Sequence, residues 1–332
     1  MPVDLKPLDG KNRLLFEIPL KPIQGSRFQP TGFPNLGAAT FKSAQGECLL
    51  VESAQSMANR LELTIWDGVN QDVVPGVKGI SHVRVERQGK FLTDSIIESH
   101  RINSPYLLEG SDKTLLDALK SEIGTDNDGI VDRKKLAEAL LKYDIGSLLH
   151  GAFLAKKELA GGRLRVARAI SSFIEAIGVR IAASGGVKND SVNPSGDAKK
   201  GFGNVPFSRD EFTADRITLF VNLDLAQIRG YGLGQEATDL LILLALFKLR
   251  KLVDGDLRLR TACDLSVDTD KVRSSNLASF ELPSVQDLSE ALPVVIKSVS
   301  TMQVTTVKYN DKIESAKESK ATEEGDIEEP EE

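Results

Sequence analysis

Cysteine, histidine, tryptophan and long apolar runs are all scarce in this 332-residue chain, and each scarcity excludes something. The two cysteines, Cys48 and Cys263, lie far apart, which argues against a disulfide framework and fits a reducing cytosol. His82, His100 and His150 share no paired spacing with one another or with the cysteines, so no zinc site is expected. The longest apolar run, Leu240 to Phe247, is broken by Lys248 and falls well short of the roughly 18 residues that a membrane helix needs. The first residues, Met-Pro-Val-Asp-Leu-Lys, carry no apolar signal core. The expectation is a cytoplasmic protein with no membrane partner, metal or cofactor.

Two familiar patterns are near misses. Asp126-Asn127-Asp128-Gly129 hints at a calcium loop, but aligning Gly129 as the sixth position puts Gly124 first and Lys135 twelfth, where acids are required. Gly230-Tyr231-Gly232-Leu233-Gly234 lies between a strand and a helix. The dinucleotide fingerprint needs glycine where Gln235 stands, and no phosphate-loop lysine follows. No set of catalytic groups is evident, so the chain is read as non-enzymatic.

The formal charge of −6 is carried by the C-terminus. Asp311 to Glu332 holds ten Asp or Glu against three Lys, leaving 39 basic and 38 acidic side chains in the other 310 residues. The body is nearly neutral, and the ring-free tail 311–332 is expected to be disordered. Overall acidity therefore does not exclude a polyanionic partner, because local grouping of Arg and Lys decides that.

Strands are expected at Arg13 to Leu20, ending at Pro19, and at Leu49 to Val51, Val83 to Arg87, Val179 to Ala183, Ile217 to Leu225, Leu257 to Leu265 and Val304 to Lys308. Helices are expected from an N-cap at Ser53 through Ile65 and at Leu92 to His100, Leu115 to Ile123 and Arg133 to Tyr143. Three more are expected near Ile170 to Ile177, at Ala237 to Val253 and at Val285 to Lys297. A turn is expected at Thr125 to Gly129. Ser184 to Glu211 is rich in Gly, Asn, Ser and Lys and reads as a long projecting loop or hairpin. The mixture favours an α+β fold over a doubly wound sheet. One domain over 1–310, with a helical insertion at about 109–150 and a projecting loop at about 184–211, precedes the tail.

Five clusters suit a nucleic-acid backbone. Gln24, Gly25, Ser26, Arg27, Phe28 and Gln29 open a Gly- and Pro-punctuated loop with amides, a guanidinium and a ring; an ordinary structured loop with Phe28 plugged into the core is the alternative. Gln55, Asn59 and Arg60 share a helix, where a solvated face is the alternative. His100, Arg101, Asn103 and Ser104 gather polar groups where a helix must end, with His100 either a base or a helix-terminal histidine. Arg229, Gly230, Tyr231 and Gly232 offer close backbone approach and a stacking ring, or a simple tight turn. Lys188, Asn189, Lys199 and Lys200 on the projecting loop could neutralise a strand, or merely link.

Read in order, six segments resemble one family: Pro19 to Gly32, Leu50 to Glu62, His100-Arg101-Ile102-Asn103-Ser104-Pro105-Tyr106, Ala183-Ser184-Gly185-Gly186-Val187-Lys188, Arg229-Gly230-Tyr231-Gly232-Leu233-Gly234, and Leu257 to Leu265. Together they resemble the Cas-seven (RAMP superfamily) backbone subunit of type I-U/I-G CRISPR effector complexes, over roughly Arg13 to Lys308. The resemblance implies an RRM-like, ferredoxin-like core with helical insertions and a thumb-like hairpin, for which Ser184 to Glu211 is the candidate. It implies copies stacked as a filament along the guide RNA (crRNA), pairing with a target DNA strand, and contacts with a fused Cas-five/Cas-six-like subunit and the large subunit. Two rival expectations are an RNA-processing endonuclease of the same superfamily, with His100 as its base, and an assembly module whose loops touch only protein.

Overall fold

The computed structural model describes residues 3–33, 37–124 and 131–313; the turn expected at Thr125 to Gly129 and most of the acidic tail lie outside them. In chain order the main elements are β1 (Arg13–Pro22), β2 (Thr40–Ser43), β3 (Gly46–Glu52), α1 (Ala54–Leu63), β4 (His82–Arg87), β5 (Lys90–Asp94), α2 (Thr114–Ile123), α3 (Arg133–Tyr143), α4 (Ile145–His150), β6 (Ala152–Leu154) and β7 (Leu164–Val166). They continue with β8 (Ile170–Ile177), β9 (Arg180–Lys188), β10 (Val205–Thr213), β11 (Arg216–Asp224), α5 (Leu225–Gly230), α6 (Gln235–Asp254), β12 (Leu257–Arg260), β13 (Cys263–Val267), α7 (Val285–Ser298) and β14 (Val304–Lys308). The fold is α+β, as the mixed pattern implied.

A seven-stranded sheet in the order β12-β13-β1-β11-β8-β3-β2 forms the centre, and every neighbouring pair in it is antiparallel. Period-two alternation builds its inner face: Leu14, Phe16, Ile18 and Leu20 from β1 and Ile170, Ile174 and Ala176 from β8 are all buried. On the opposite face the Phe173 and Phe220 rings stack at 5.2 Å between centroids. A second sheet pairs β14 parallel to β4 and β4 antiparallel to β5.

β1 does not end at Pro19. It runs on to Pro22, because Pro19 sits where the neighbouring strand β13 stops, at the Leu20–Val267 pair. The amide and carbonyl of one strand residue point to the same side, and the Pro19 carbonyl accepts from the Asp268 amide just past that end. The missing Pro19 donor thus has no ladder partner to disappoint.

Two expected helices are strands. The segment Leu92 to His100 belongs mostly to β5 and the turns that follow it, because Gln88 and Gly89 both adopt positive φ (52° and 72°) and fold β4 back on β5 as a two-residue hairpin. Ile170 to Ile177 has apolar residues at both helical and strand spacings; pairing with β11 on one side and β3 on the other settles it as β8. Leu257 to Leu265 is a hairpin rather than one strand, turning at Ala262 with φ 60°.

The segment Ser184 to Glu211 lies within a long antiparallel hairpin: β9 pairs with β10 from Arg180–Thr213 out to Lys188–Val205. Its outer part carries exposed Val187, Val192, Phe202 and Phe207. The helices expected at Leu115 to Ile123, Arg133 to Tyr143, Ala237 to Val253 and Val285 to Lys297 all form, and Ser53 caps α1 by accepting from the Ser56 amide.

α6 is the hub of the helical layer. It touches α1, α4, α5, α7 and β13, so it is apolar nearly all round. The exception is Lys248, fully buried, whose Nζ donates to His150 Nε2 at 2.9 Å. Burial pulls its ammonium down to about 8 from the usual 10.5; Arg101 adds to that pull, while Glu62 opposes it. The unfolded chain therefore holds this proton more tightly than the folded one. The folded state is penalised below about 8 and relieved as pH rises from about 8 to about 10.5. Relative to a Lys248→Met variant, the wild-type Tm is expected to improve steadily across that window; a Tm difference independent of pH would contradict the buried-ammonium assignment.

A candidate nucleic-acid interface

Five short pieces of chain, remote in sequence, enclose an open groove of about 1090 Å³. Gln55 comes from the first turn of α1, and Ser99, His100, Arg101 and Asn103 come from the turns after β5. Arg133 opens α3, His150 closes α4, and Gly151 to Phe153 face Arg165 to Arg168 across the β6–β7 ladder. Among the described residues the lining contains four arginines and two histidines and no Asp or Glu. In a body of nearly balanced charge, that concentration of guanidinium makes a local positive field.

The ladder explains how the arginines are presented. Arg165 is directly opposite Phe153, and its guanidinium lies 4.5 Å from the centroid of that half-exposed ring. Gly151, with φ 78°, allows the turn before the ladder: a Cβ there would approach the Val166 carbonyl oxygen to 2.8 Å and the Arg168 amide to 3.2 Å. That close passage sets Arg168 beside His150. The Arg168 guanidinium then hydrogen-bonds Gln55 Oε1, tying the wall to α1. Burial, followed by the neighbouring Arg101 charge, pulls Arg168 below the ordinary arginine range.

Arg101 forms part of the floor. It is buried, has φ 51°, and donates Nε and Nη2 to the two carboxylate oxygens of Glu62 at 2.8 and 2.7 Å. Burial drives Glu62 up to about 7, against the pull of Arg101 and Lys248. The bidentate pair is sealed under the groove, and a buried pair broken from one side leaves an uncompensated charge.

The structure sorts the residues singled out in the sequence into distinct settings. Gln55, His100, Arg101 and Asn103 come together in the groove, although Asn103 Oδ1 is taken by the Ala155 amide. His100 precedes a 3-10 turn and does not end a helix. Ser104 is buried, where it caps the next helical turn and donates to Glu98 Oε2. Asn59 and Arg60 lie further along α1; the Arg60 guanidinium binds the carbonyls of Arg258 and Leu259 and pairs with Glu52.

Gln24, Gly25, Ser26 and Arg27 line a second pocket of about 700 Å³, which also holds Glu211, Asp256 and Asp264. Arg27 is 3.7 Å from Glu211. Phe28 is not a stacking ring: it is 1% exposed, bridged through its backbone to Phe212, and belongs to the core. Gln29 hands its amide to the Ala262 carbonyl. Lys188, Asn189, Lys199 and Lys200 stand exposed on the outer hairpin.

The Arg229 cluster supports rather than presents. Arg229 donates to the carbonyls of Leu8 and Lys11, both at 2.6 Å. The Tyr231 hydroxyl donates to the Leu148 carbonyl at 2.7 Å and accepts from Gln227, whose amide also holds the Ala167 carbonyl in the groove wall. Burial raises the Tyr231 phenol to about 12. Gly230 ends α5, and Gly232 turns with φ 67° beside Lys134. Arg27, Arg101 and Arg229 occupy three separate surroundings.

Sequence reading missed Arg133, Phe153, Arg165 and Arg168. The signal was present in the arginine-rich stretch Arg163-Leu164-Arg165-Val166-Ala167-Arg168 just before the helix expected near Ile170 to Ile177. Replacing Arg101 with alanine is expected to cost about 3 kcal/mol in unfolding free energy, because Glu62 is left buried and alone. Replacing the more exposed Arg165 is expected to cost less than about 1 kcal/mol. Denaturant unfolding of the two variants checks this, and equal small losses would contradict it.

The sequence model of the family described as CRISPR-associated protein GSU0053 matches residues 14–181. Among solved structures, a "CRISPR RNA-guided surveillance complex, pre-nicking" is similar at 14% identity and a TM-score of 0.38, covering 79% of this chain and 76% of that one. The crystal structure of Thermofilum pendens Csc2 is similar at 9% identity and a TM-score of 0.33, covering 90% and 80%. Both likenesses are weak, and no curated protein matches the sequence. The family match spans β1 through the start of β9, including Gln55, the Arg101 floor and the whole β6–β7 ladder, and on it the chain belongs to the GSU0053 family of CRISPR-associated proteins.

Proposed function

We propose that this protein is the guide-RNA binding backbone subunit of a CRISPR surveillance complex of type I-U/I-G, and that its copies assemble along the RNA and hold it for pairing with a target DNA strand. Family membership supports the setting. The observation that carries the reading is the arginine groove, because Arg133, Arg165 and Arg168 face it and no described lining residue is a carboxylate, which suits a chain of phosphates. Phosphate contacts carry no base identity, so binding is sequence-tolerant, as a scaffold for variable guides requires.

In this reading the antiparallel sheet with helices over its inner face is an RRM-like core, residues 109–150 are an insertion, and the β9–β10 hairpin is the thumb. Lys188, Lys199 and Lys200 on that hairpin add a second, looser contact with the strand. The half-exposed Phe153 ring offers a base a stacking surface beside Arg165. The partners are crRNA, further copies of the chain, a fused Cas-five/Cas-six-like subunit and the large subunit. The protein is a scaffold and not an enzyme.

Each arginine that neutralises a phosphate of a single strand contributes about 0.7 to the slope of log binding constant against log salt. The double variant Arg165→Ala, Arg168→Ala is expected to flatten that slope by about 1.4 and to weaken binding of a single-stranded RNA oligonucleotide at low salt. Arg229→Ala, which removes a strap across backbone carbonyls, is expected to lower Tm and leave the slope unchanged. A double variant with an unaltered slope would place the RNA elsewhere.

A further inference from the structure

The groove floor holds a donor that its neighbours have set and left unpaired. His150 lies there, 1% exposed, between α4 and the Gly151 turn. Lys248 Nζ, 2.9 Å from His150 Nε2, can only donate while it is an ammonium, so Nε2 must present its lone pair. A neutral imidazole has one N–H, which is then on Nδ1. Nδ1 is buried and has no hydrogen-bond partner. A buried donor without a partner is uncommon in a folded protein, and here it lies in the floor of the one groove lined by four arginines.

The ring is held neutral by its surroundings. Burial comes first, then the charges of Lys248, Arg101 and Arg168, all of which keep the imidazole well below its ordinary range. The groups facing this spot are Lys248 from α6, Glu62 from α1, Asp144 at the head of α4, Arg101 from the turns after β5, and Arg168 after β7. Even with Glu62 paired to Arg101 as a carboxylate and Asp144 ionised, Arg101, Arg168 and Lys248 outnumber the two acids. The balance is positive, and an anion is the missing member.

We propose that His150 Nδ1–H, with Arg168, forms a single anchoring seat for one phosphate oxygen of the bound strand, with the Glu62-paired Arg101 beneath it, distinct from the looser contacts along the rest of the groove. The proposal rests on the reading of the groove as an RNA site and adds a fixed point to it. Lys248 acts as a positioning residue, since it touches no ligand and selects the tautomer that can. Nδ1 is covered in the free protein, so a strand that reaches it displaces a side chain of the floor. Because the donor is neutral, it contributes affinity without adding to the salt slope.

The chain has only three histidines, which makes the test direct. In the full-length protein labelled with nitrogen-15 at histidine, the His150 ring is expected to show the Nδ1–H tautomer. Its Nδ1 signal is expected to move on addition of a single-stranded RNA oligonucleotide, while buried His82, paired with Asp94 at 2.7 Å, stays put. An Nε2–H tautomer, or an Nδ1 signal indifferent to bound RNA, overturns the proposal.

Two variants separate the roles. His150→Asn keeps a donor where Nδ1 stands and is expected to bind RNA within about twofold of wild type. His150→Gln keeps only a partner for Lys248 and is expected to bind roughly tenfold more weakly, with an unchanged salt slope. A folded His150→Gln variant that binds as wild type overturns the seat. If wild type binds RNA and only the His150 tests fail, the groove reading survives and this inference alone falls; if wild type binds no RNA, both fall. Inorganic phosphate is the other arm: a shift of Nδ1 equal to that with RNA, at equal concentration of phosphate groups, shows a seat for a free anion and contradicts anchoring of a strand.

Discussion

The pairing of Arg101 with Glu62 is the constraint on which the groove depends. A surface made attractive to phosphates by crowding arginines repels itself, and the crowding is tolerable only if some of the charge is balanced from beneath. Glu62 supplies that balance from the buried face of α1, and it holds Arg101 by two hydrogen bonds in one fixed orientation. Around this pair, Lys248 and His150 on two other helices form a second buried contact, so α1, α4, α6 and the turns after β5 meet at one buried polar knot. Burial opposes each charge in that knot; geometry keeps the charges there. The benefit is local rigidity under the surface proposed to hold a strand.

The walls follow a different logic. The β6–β7 ladder is short and carries Arg165 on a strand, where it is set by register rather than by rotamer choice alone. Phe153 supplies an apolar base on which the Arg165 plane lies, and Gly151 allows the tight passage that brings Arg168 against α1. The outer hairpin differs again: its lysines are exposed and its apolar side chains face outward, so it gains little from its own contacts. A rigid groove and a projecting arm together can hold a strand without reading its bases.

Much of the fold was legible in the sequence, and the reasons for the rest are particular. The long helices α6 and α7 were legible because periodicity and length agreed. β8 was not, because Ile170, Phe173, Ile174 and Ile177 satisfy the helical period as well as the strand period and only the neighbouring strands decide. β5 was missed because Gln88-Gly89 is a weaker hairpin signal than Asn-Gly. In the site, Gln55, His100 and Arg101 were found by residue type, but type says nothing about burial. Arg101, Arg229 and Arg60 look alike in sequence, yet all three spend their donors on the protein itself. Of the arginines left facing the groove, Arg133 opens an expected helix, and Arg165 and Arg168 lie just before another expected one, so neither setting marked them as a site.

The central claim is that a phosphate backbone lies along the groove between Gln55, Phe153 and Arg168. Ultraviolet cross-linking of the full-length protein to single-stranded RNA, followed by mass spectrometry of the peptides, tests it most directly. The account predicts cross-links concentrated in residues 99–103 and 150–168, with Phe153 prominent. Cross-links confined to the pocket around Gln24 to Arg27, or absent from 150–168, would contradict it.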